Sequence, residues 1–167
     1  FMVDAANQGW MAPFALVMMA GGLALFWGGA GLLYRILQPH GLARILAFAG
    51  CLAGFEWLRG HVFTGLPWNL PGETWRAGSA PSQAAAVFGA YGLSWITIAL
   101  AASPAILAIP TTARARAAVM ALALVALGGL YGFGLWRLDH APAPRADAPL
   151  VRVVQANIDQ KDKWRPE

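Results

Sequence analysis

The sequence predicts an all-α membrane helical bundle of about four transmembrane helices, followed by the first strand of an extracytoplasmic α/β domain. Hydrophobic residues make up 58% of the 167 residues and only 12% are charged, whereas soluble domains carry about 25% charged residues. The apolar residues form four long runs, and charged residues become frequent only from Arg137 onward. The chain therefore combines a membrane part with the beginning of a soluble part.

The four apolar runs are each long enough to cross about 30 Å of hydrocarbon, which takes about 20 helical residues. We expect helices at about residues 10–37, 42–63, 83–109 and 117–136. Glycine clusters in the first and fourth runs predict close contact with neighbouring helices, because small residues let backbones approach one another in a membrane.

The charges of the connectors predict the orientation of the bundle. Basic side chains occupy the first and third connectors, at Arg35, His40, Arg44, Arg114 and Arg116. By the positive-inside rule these two connectors face the cytoplasm. The second connector, at residues 64–82, then lies on the extracytoplasmic side, as do the N-terminus and everything after Trp136.

The last part of the chain predicts a change of fold. Residues 1–138 form the membrane domain in this interpretation, and residues 139–149 form a linker rich in proline and alanine. Residues 150–158 are rich in β-branched side chains and bounded by a proline and a polar run, which is typical of a buried strand. Residues 150–167 are too few to bury a core, so we expect the chain to be a fragment of a longer protein.

Composition also argues against several classes of site. The net charge of +4 does not indicate nucleic-acid binding, because the basic residues are dispersed at helix ends. Cys51 is the only cysteine and lies in an apolar run, so it is predicted to be a packing residue and excludes an intrachain disulfide. We expect no metal and no cofactor.

The candidate site lies at residues 56–69, where the second apolar run ends. Glu56 and Arg59 stand three residues apart on one helical face, where each can neutralise the other. Charge inside a bilayer is costly, so such a pair indicates a functional site; the alternative is a structural ion pair at the membrane edge. The following connector contains Trp68 and several prolines. It is either an ordered cap over a lipid-exposed cavity or an interfacial loop anchored by tryptophans.

Two blocks of sequence resemble the bacterial apolipoprotein N-acyltransferase family. The first comprises residues 56–60 and 63–68, and the second comprises residues 151–160 with Lys163 and Trp164. They come in the family's order, separated by two helices. The resemblance implies an eight-helix bundle in the bacterial inner membrane that carries an extracytoplasmic nitrilase-like domain. This chain would hold about four of those helices and the first strand of the domain.

The resemblance also implies an activity. Such an enzyme transfers a fatty acyl chain from a phospholipid to the N-terminal diacylglyceryl-cysteine of a lipoprotein, through a cysteine thioester. Its Glu-Lys-Cys triad belongs to segments that would follow Glu167, so no catalytic residue is expected in this chain and the fragment alone is expected to be inactive. The implied partners are a phospholipid acyl donor, a diacylated lipoprotein acceptor and the membrane, with the protein a monomer.

Four residues receive supporting roles from the resemblance. Trp164 matches a loop tryptophan that lies by the family's active site and is needed for activity. Arg59 and Trp68 match the membrane-edge motif and would shape the lipid entry, with Glu56 holding Arg59 in place. The alternative is a non-catalytic membrane module, such as part of a transporter, in which the Glu56–Arg59 pair is gating or structural. A strand after Pro149 argues against that alternative, since a transporter would more naturally continue into another apolar span.

Overall fold

The computed structural model describes residues 5–142, 149 and 151–155, and within them the secondary structure is entirely helical. The helices are α1 (Ala5–Gln8), α2 (Ala12–Leu37), α3 (Ala43–His61), α4 (Ala85–Ala102) and α5 (Ala113–Asp139). Short 3-10 helices lie at Gly9–Met11, Pro71–Thr74, Pro81–Ala84 and Ser103–Ala108. The chain divides into two compact units, Phe1–Gly22 with Pro142–Glu167, and Leu23–Ala141.

Three helical stretches of the described part are long and apolar enough to cross a membrane: Gly9–Leu37, Pro81–Ala108 and Ala113–Asp139. They correspond to the first, third and fourth predicted runs. The second run does form a helix, α3, but α3 has only 19 residues and contains Arg44, Glu56 and Arg59. Its length is sufficient for a span, but these three charged residues keep its composition from marking it as one.

The strand predicted at residues 150–158 is not seen where the structure describes that segment. Residues 151–155 have no regular secondary structure, and their valine side chains are 74–89% exposed. A strand needs neighbouring strands to complete its backbone hydrogen bonds and to cover its side chains. None is present among the described residues. The other residues of the predicted strand lie outside the described part.

Local sequence explains where the long helices begin, break and end. The Thr112 hydroxyl accepts a hydrogen bond from Ala115 N at 3.2 Å and so caps the start of α5. Gly89 interrupts α4 with φ +68°, a conformation that glycine adopts without steric cost. Pro104 lies in the first turn of the 3-10 helix that follows α4. The third predicted span is therefore a broken helix with a 3-10 turn at each end.

Two clusters of buried residues define how α3, α4 and α5 pack. Ile45 at the start of α3 contacts Ile106 after α4 and Val119 at the start of α5. Near the other end, Ala84 and Leu93 pack with Leu130. At these two levels α4 runs antiparallel to α5, and the start of α3 lies beside the end of α4, which agrees with the predicted placing of the basic connectors at one end.

Close backbone contact involves fewer glycines than the sequence predicts. A Cβ on Gly134 of α5 would lie 1.8 Å from the carbonyl oxygen of Ala80, and one on Gly29 of α2 would lie 2.3 Å from the Phe55 ring. By contrast, Gly132 has no heavy atom within 4 Å of such a Cβ. Gly134 is therefore the point at which the glycine face of α5 packs closely against the second connector.

We predict that Gly134→Ala destabilises the intact protein, because the added methyl group meets backbone atoms of Ala80, which cannot move aside like a side chain. Overpacking of this kind costs about 1–3 kcal/mol. The matched control is Gly132→Ala, which should be neutral or stabilising by up to about 1 kcal/mol, because alanine favours the helix. Thermal unfolding of the detergent-solubilised protein measures both, and equal midpoints for the two variants would contradict the close contact.

Candidate functional site

The candidate site is built around a buried ion pair near the C-terminal end of α3. Glu56 and Arg59 are 4% and 5% exposed. Arg59 Nε donates a hydrogen bond to Glu56 Oε2 at 3.1 Å, and Arg59 Nη2 donates to the same oxygen. The three-residue spacing thus places both charges on one helical face, where each neutralises the other.

The second carboxylate oxygen of Glu56 is bound by a residue that sequence reasoning missed. Trp27 Nε1, on α2, donates to Glu56 Oε1 at 2.7 Å. The available signal was a tryptophan in the middle of an apolar run, because its indole N–H needs an acceptor when it is removed from water. Glu56 therefore joins α2 to α3 and has both oxygens occupied by donors.

Arg59 also binds the connector that follows α3. Its Nη2 donates to the carbonyl oxygen of Trp68 at 2.6 Å, and its own carbonyl oxygen accepts from Leu66 N at 2.9 Å. Trp68 therefore contacts the ion pair through its backbone carbonyl. The residue as a whole is 67% exposed. The structure thus brings three of the four predicted site residues together, but it turns the Trp68 indole outward.

The turn between α3 and the connector has an unusual backbone. Phe63, Thr64 and Gly65 have φ values of +53°, +77° and +80° in succession. A Cβ on Gly65 would lie 2.3 Å from the carbonyl oxygen of Gly60, so glycine is required for this close reversal. Non-glycine residues in this region cost on the order of 1–3 kcal/mol each. The turn leaves Phe63 89% exposed.

The rest of the connector is anchored to α4 by buried hydrogen bonds. Gly72 N donates to the Ser94 hydroxyl at 3.0 Å, and Trp75 Nε1 donates to the Thr97 hydroxyl at 2.8 Å. Leu70 is only 4% exposed. The connector is therefore an ordered segment packed on α4, whereas the exposed Trp68 ring fits the interfacial interpretation.

Aromatic rings surround the end of α3. The Trp57 and His61 rings stack at 4.4 Å between centroids, and the Tyr91 ring of α4 lies 5.7 Å from His61. Gly60 makes room for this arrangement, because a Cβ there would lie 2.0 Å from the Tyr91 hydroxyl oxygen. Amphipathic rings of this kind are typical of the boundary between lipid and water.

Among the residues that the structure describes, this arrangement positions charged and aromatic groups around Glu56 and Arg59. Within the residues that the structure describes, no three His, Cys, Asp or Glu side chains come together as metal ligands would. Cys51 is 6% exposed, inside α3. The fourth predicted site residue, Trp164, lies outside the described part of the chain, as do Lys163 and most of the second sequence block.

We predict that Arg59→Ala destabilises the protein far more than Arg76→Ala. Removal of Arg59 leaves the Glu56 carboxylate buried without its counter-charge, which costs about 3–5 kcal/mol. Arg76 is exposed on the connector, and substitutions at such positions usually stay within about 0.5 kcal/mol. Denaturant unfolding in detergent measures the difference. Equal losses of stability in the two variants would show that the ion pair does not stabilise the protein.

We further predict that Trp27→Phe lowers stability by about 1.5–3 kcal/mol, the usual value of a hydrogen bond to a charged group. The control is Trp136→Phe, at an exposed position of α5. In a Glu56→Gln background the cost of Trp27→Phe should shrink, because the acceptor is no longer charged. An unchanged cost in that background would show that Trp27 acts through packing alone.

Comparison with known proteins identifies the family. A family model described as the apolipoprotein N-acyltransferase N-terminal domain matches residues 1–103. A protein of Caulobacter vibrioides named apolipoprotein N-acyltransferase is 56% identical over 167 residues, which is 100% of this chain and 31% of that protein. A protein of the same name from Brucella melitensis is 40% identical over 168 residues, covering 98% of this chain and 30% of that protein.

A Rhodopseudomonas palustris protein with this name is 38% identical over 165 residues, covering 98% of this chain and 31% of the relative. No solved structure matches the chain. The chain thus spans about a third of the length of the curated relatives it matches. Its apolar helices and these relatives make it part of a bacterial membrane protein, and it belongs to the apolipoprotein N-acyltransferase family.

Proposed function

We propose that this chain is the membrane-bundle portion of an enzyme that transfers a fatty acyl chain from a phospholipid to the N-terminal diacylglyceryl-cysteine of a lipoprotein. The observation that carries the proposal is the 56% identity, over the whole chain, to a protein named apolipoprotein N-acyltransferase. A non-catalytic membrane module or transporter fragment is not favoured, because the relatives described above carry the acyltransferase name.

The proposed reaction has two steps. A cysteine thiolate attacks the acyl ester of the phospholipid, so the ester C–O bond breaks, a thioester forms and a lysophospholipid leaves. The α-amino group of the lipoprotein cysteine then attacks the thioester, which forms an amide and releases the thiolate. A glutamate would act as general base and a lysine would stabilise the oxyanion. This triad is proposed to belong to the nitrilase-like domain.

The helix α3 is proposed as a fourth membrane span. The charged residues of α3 argue against a membrane span only if each of them is treated as an isolated charge. Glu56 and Arg59 neutralise each other, so the pair presents far less charge to lipid than two separate ions would. Arg44 lies in the first turn of the helix, where a long cationic side chain can reach the interface. These features support α3 as a span, with the second connector on the extracytoplasmic side.

We propose that the Glu56–Arg59 pair holds the second connector so that lipid can reach the active site. Arg59 binds the Trp68 carbonyl and thereby sets the position of the exposed Trp68 ring. An amphipathic indole at this boundary suits contact with lipid ester and headgroup atoms. In this proposal Glu56, Arg59 and Trp68 are positioning or substrate-contacting residues. The nitrilase-like domain is proposed to start at residue 150, after a linker at residues 139–149.

The direct test is an acyl-transfer assay with the full-length protein. Purified enzyme is mixed with phospholipid vesicles that carry labelled acyl chains and with a diacylated lipopeptide that has a free N-terminal amine. Mass spectrometry should find the label in an amide at that amine, together with lysophospholipid in equal amount. Label transferred only to water, or none transferred, would contradict the proposed function.

We predict that Trp164→Ala in the full-length enzyme lowers acyl transfer about ten- to a hundredfold without loss of membrane insertion. The reason is the loss of a positioning contact near the site, where small misplacements have effects of this size. Trp136→Ala, at an exposed position of α5, serves as the control and should keep activity. If Trp164→Ala transfers acyl chains at the normal rate, Trp164 has no part in the site.

A further inference from the structure

A second polar site lies at the opposite end of α3 from Glu56. A cavity of about 260 Å³ opens between the end of α2 and the start of α3, and its lining residues are Tyr34, Arg35, Gln38, Pro39, His40 and Arg44. Arg44 and Glu56 are separated by twelve residues, or about 18 Å along a helix axis. The cavity is therefore distinct from the ion-pair site.

The cavity has positive charge without a counter-charge. The sequence contains no Asp or Glu between residues 5 and 55. In the part of the chain that the structure describes, the ion pairs are Glu56 with Arg59 and Asp139 with His140, and neither includes Arg35 or Arg44. Two guanidinium groups that line one cavity repel each other, and an anion between them relieves this repulsion.

Helix stability does not account for Arg44. A cation in the first turn of a helix opposes the positive end of the helix dipole, and Arg44 lies in the first turn of α3. Its Nε is fixed by donating to the Pro39 carbonyl oxygen at 3.1 Å. This bond leaves the two terminal nitrogens of the guanidinium group to donate elsewhere.

The backbone of the loop shapes the cavity, and the first amides of α3 are engaged within it. Gln38 and Gly41 have φ values of +42° and +55°, which reverse the chain within a few residues. The first amides of α3 are already used, since Ala43 N donates to His40 O and Arg44 N to Gly41 O. These amides are therefore not available to an anion, whereas the guanidinium groups that line the cavity are.

Exposed apolar side chains lie on the same helical turns as the cavity residues, or packed against one of them. Leu33, Ile36 and Leu37 on the last turns of α2 are 40–67% exposed. Phe48 on α3 is 38% exposed, and its ring packs edge-on against the Tyr34 ring. A molecule with an anionic head and hydrocarbon chains would meet both surfaces at once, whereas a free inorganic ion would use only the cavity.

We propose that this cavity binds the phosphate group of an anionic phospholipid. Arginine guanidinium groups match phosphate oxygens in geometry and charge, and basic pockets between membrane helices bind anionic headgroups. The site is separate from the acyl-transfer chemistry and does not depend on it. The bound lipid supplies the counter-charge that the protein lacks here, and it fixes the α2–α3 connector at the membrane surface.

The test uses the full-length protein in a zwitterionic detergent, with lipid adducts counted by native mass spectrometry. Phosphatidylglycerol, which has a net negative phosphodiester, should bind at least about tenfold more tightly than zwitterionic phosphatidylcholine. The thermal unfolding midpoint should rise with phosphatidylglycerol and much less with inorganic phosphate. Added salt should weaken the binding.

Three variants make the assignment specific. Arg35→Gln combined with Arg44→Gln should lower phosphatidylglycerol affinity at least about tenfold. Arg114→Gln removes an exposed basic charge at the start of α5 and should leave affinity unchanged. Arg35→Gln alone should also weaken phosphatidylglycerol binding. Because Arg35 is exposed, this variant should not affect folding. All three variants should keep acyl-transfer activity.

Three results would overturn the proposal. Equal binding of phosphatidylcholine and phosphatidylglycerol, or an equal loss in Arg114→Gln, would mean that the cavity does not select anionic lipid. Stabilisation by inorganic phosphate as large as that by phosphatidylglycerol would assign the cavity to free phosphate and reject the lipid.

Discussion

The interaction on which the site depends is the buried pair of Glu56 and Arg59. Removing two charges from water costs several kcal/mol for each ion, and the attraction between them offsets this only when further hydrogen bonds satisfy both groups. Here Trp27 satisfies the carboxylate, and the Trp68 carbonyl oxygen accepts from the guanidinium. The need to satisfy one ion pair therefore connects α2, α3 and the second connector.

The connector takes its shape from these bonds. Phe63 and Thr64 have left-handed backbone conformations that cost on the order of 1–3 kcal/mol each. Such a turn persists only when surrounding contacts determine it, and these contacts include the bonds of Arg59 to Leu66 and Trp68. The buried hydrogen bond of Gly72 to α4 fixes the following stretch. An ordered connector with exposed aromatic residues fits the lipid access proposed above for this end of α3.

Sequence reasoning recovered the elements that depend on local pattern. The four long helices follow from hydrophobic runs, and the Glu56–Arg59 pair follows from helical spacing. It missed Trp27, because contact between residues 29 positions apart depends on how two helices pack. It also missed the break at Gly89, since a glycine within an apolar run is equally compatible with a straight helix. The predicted strand cannot be judged from local pattern alone, because strands form only with partners.

The two ends of α3 resolve the same electrostatic problem in different ways. At the connector end, a cation is surrounded by protein, so the chain supplies its own carboxylate and carbonyl acceptors at Glu56 and Trp68. At the other end, Arg44 receives one backbone carbonyl from Pro39 and no acid within the described residues. Such a cation is stable at the edge of a bilayer, where water or lipid phosphate supplies the remaining hydrogen-bond acceptors. The charges that make the composition of α3 unlike that of a span therefore fit the proposals made above, in which α3 is a span with one end bound by protein and the other at the membrane surface.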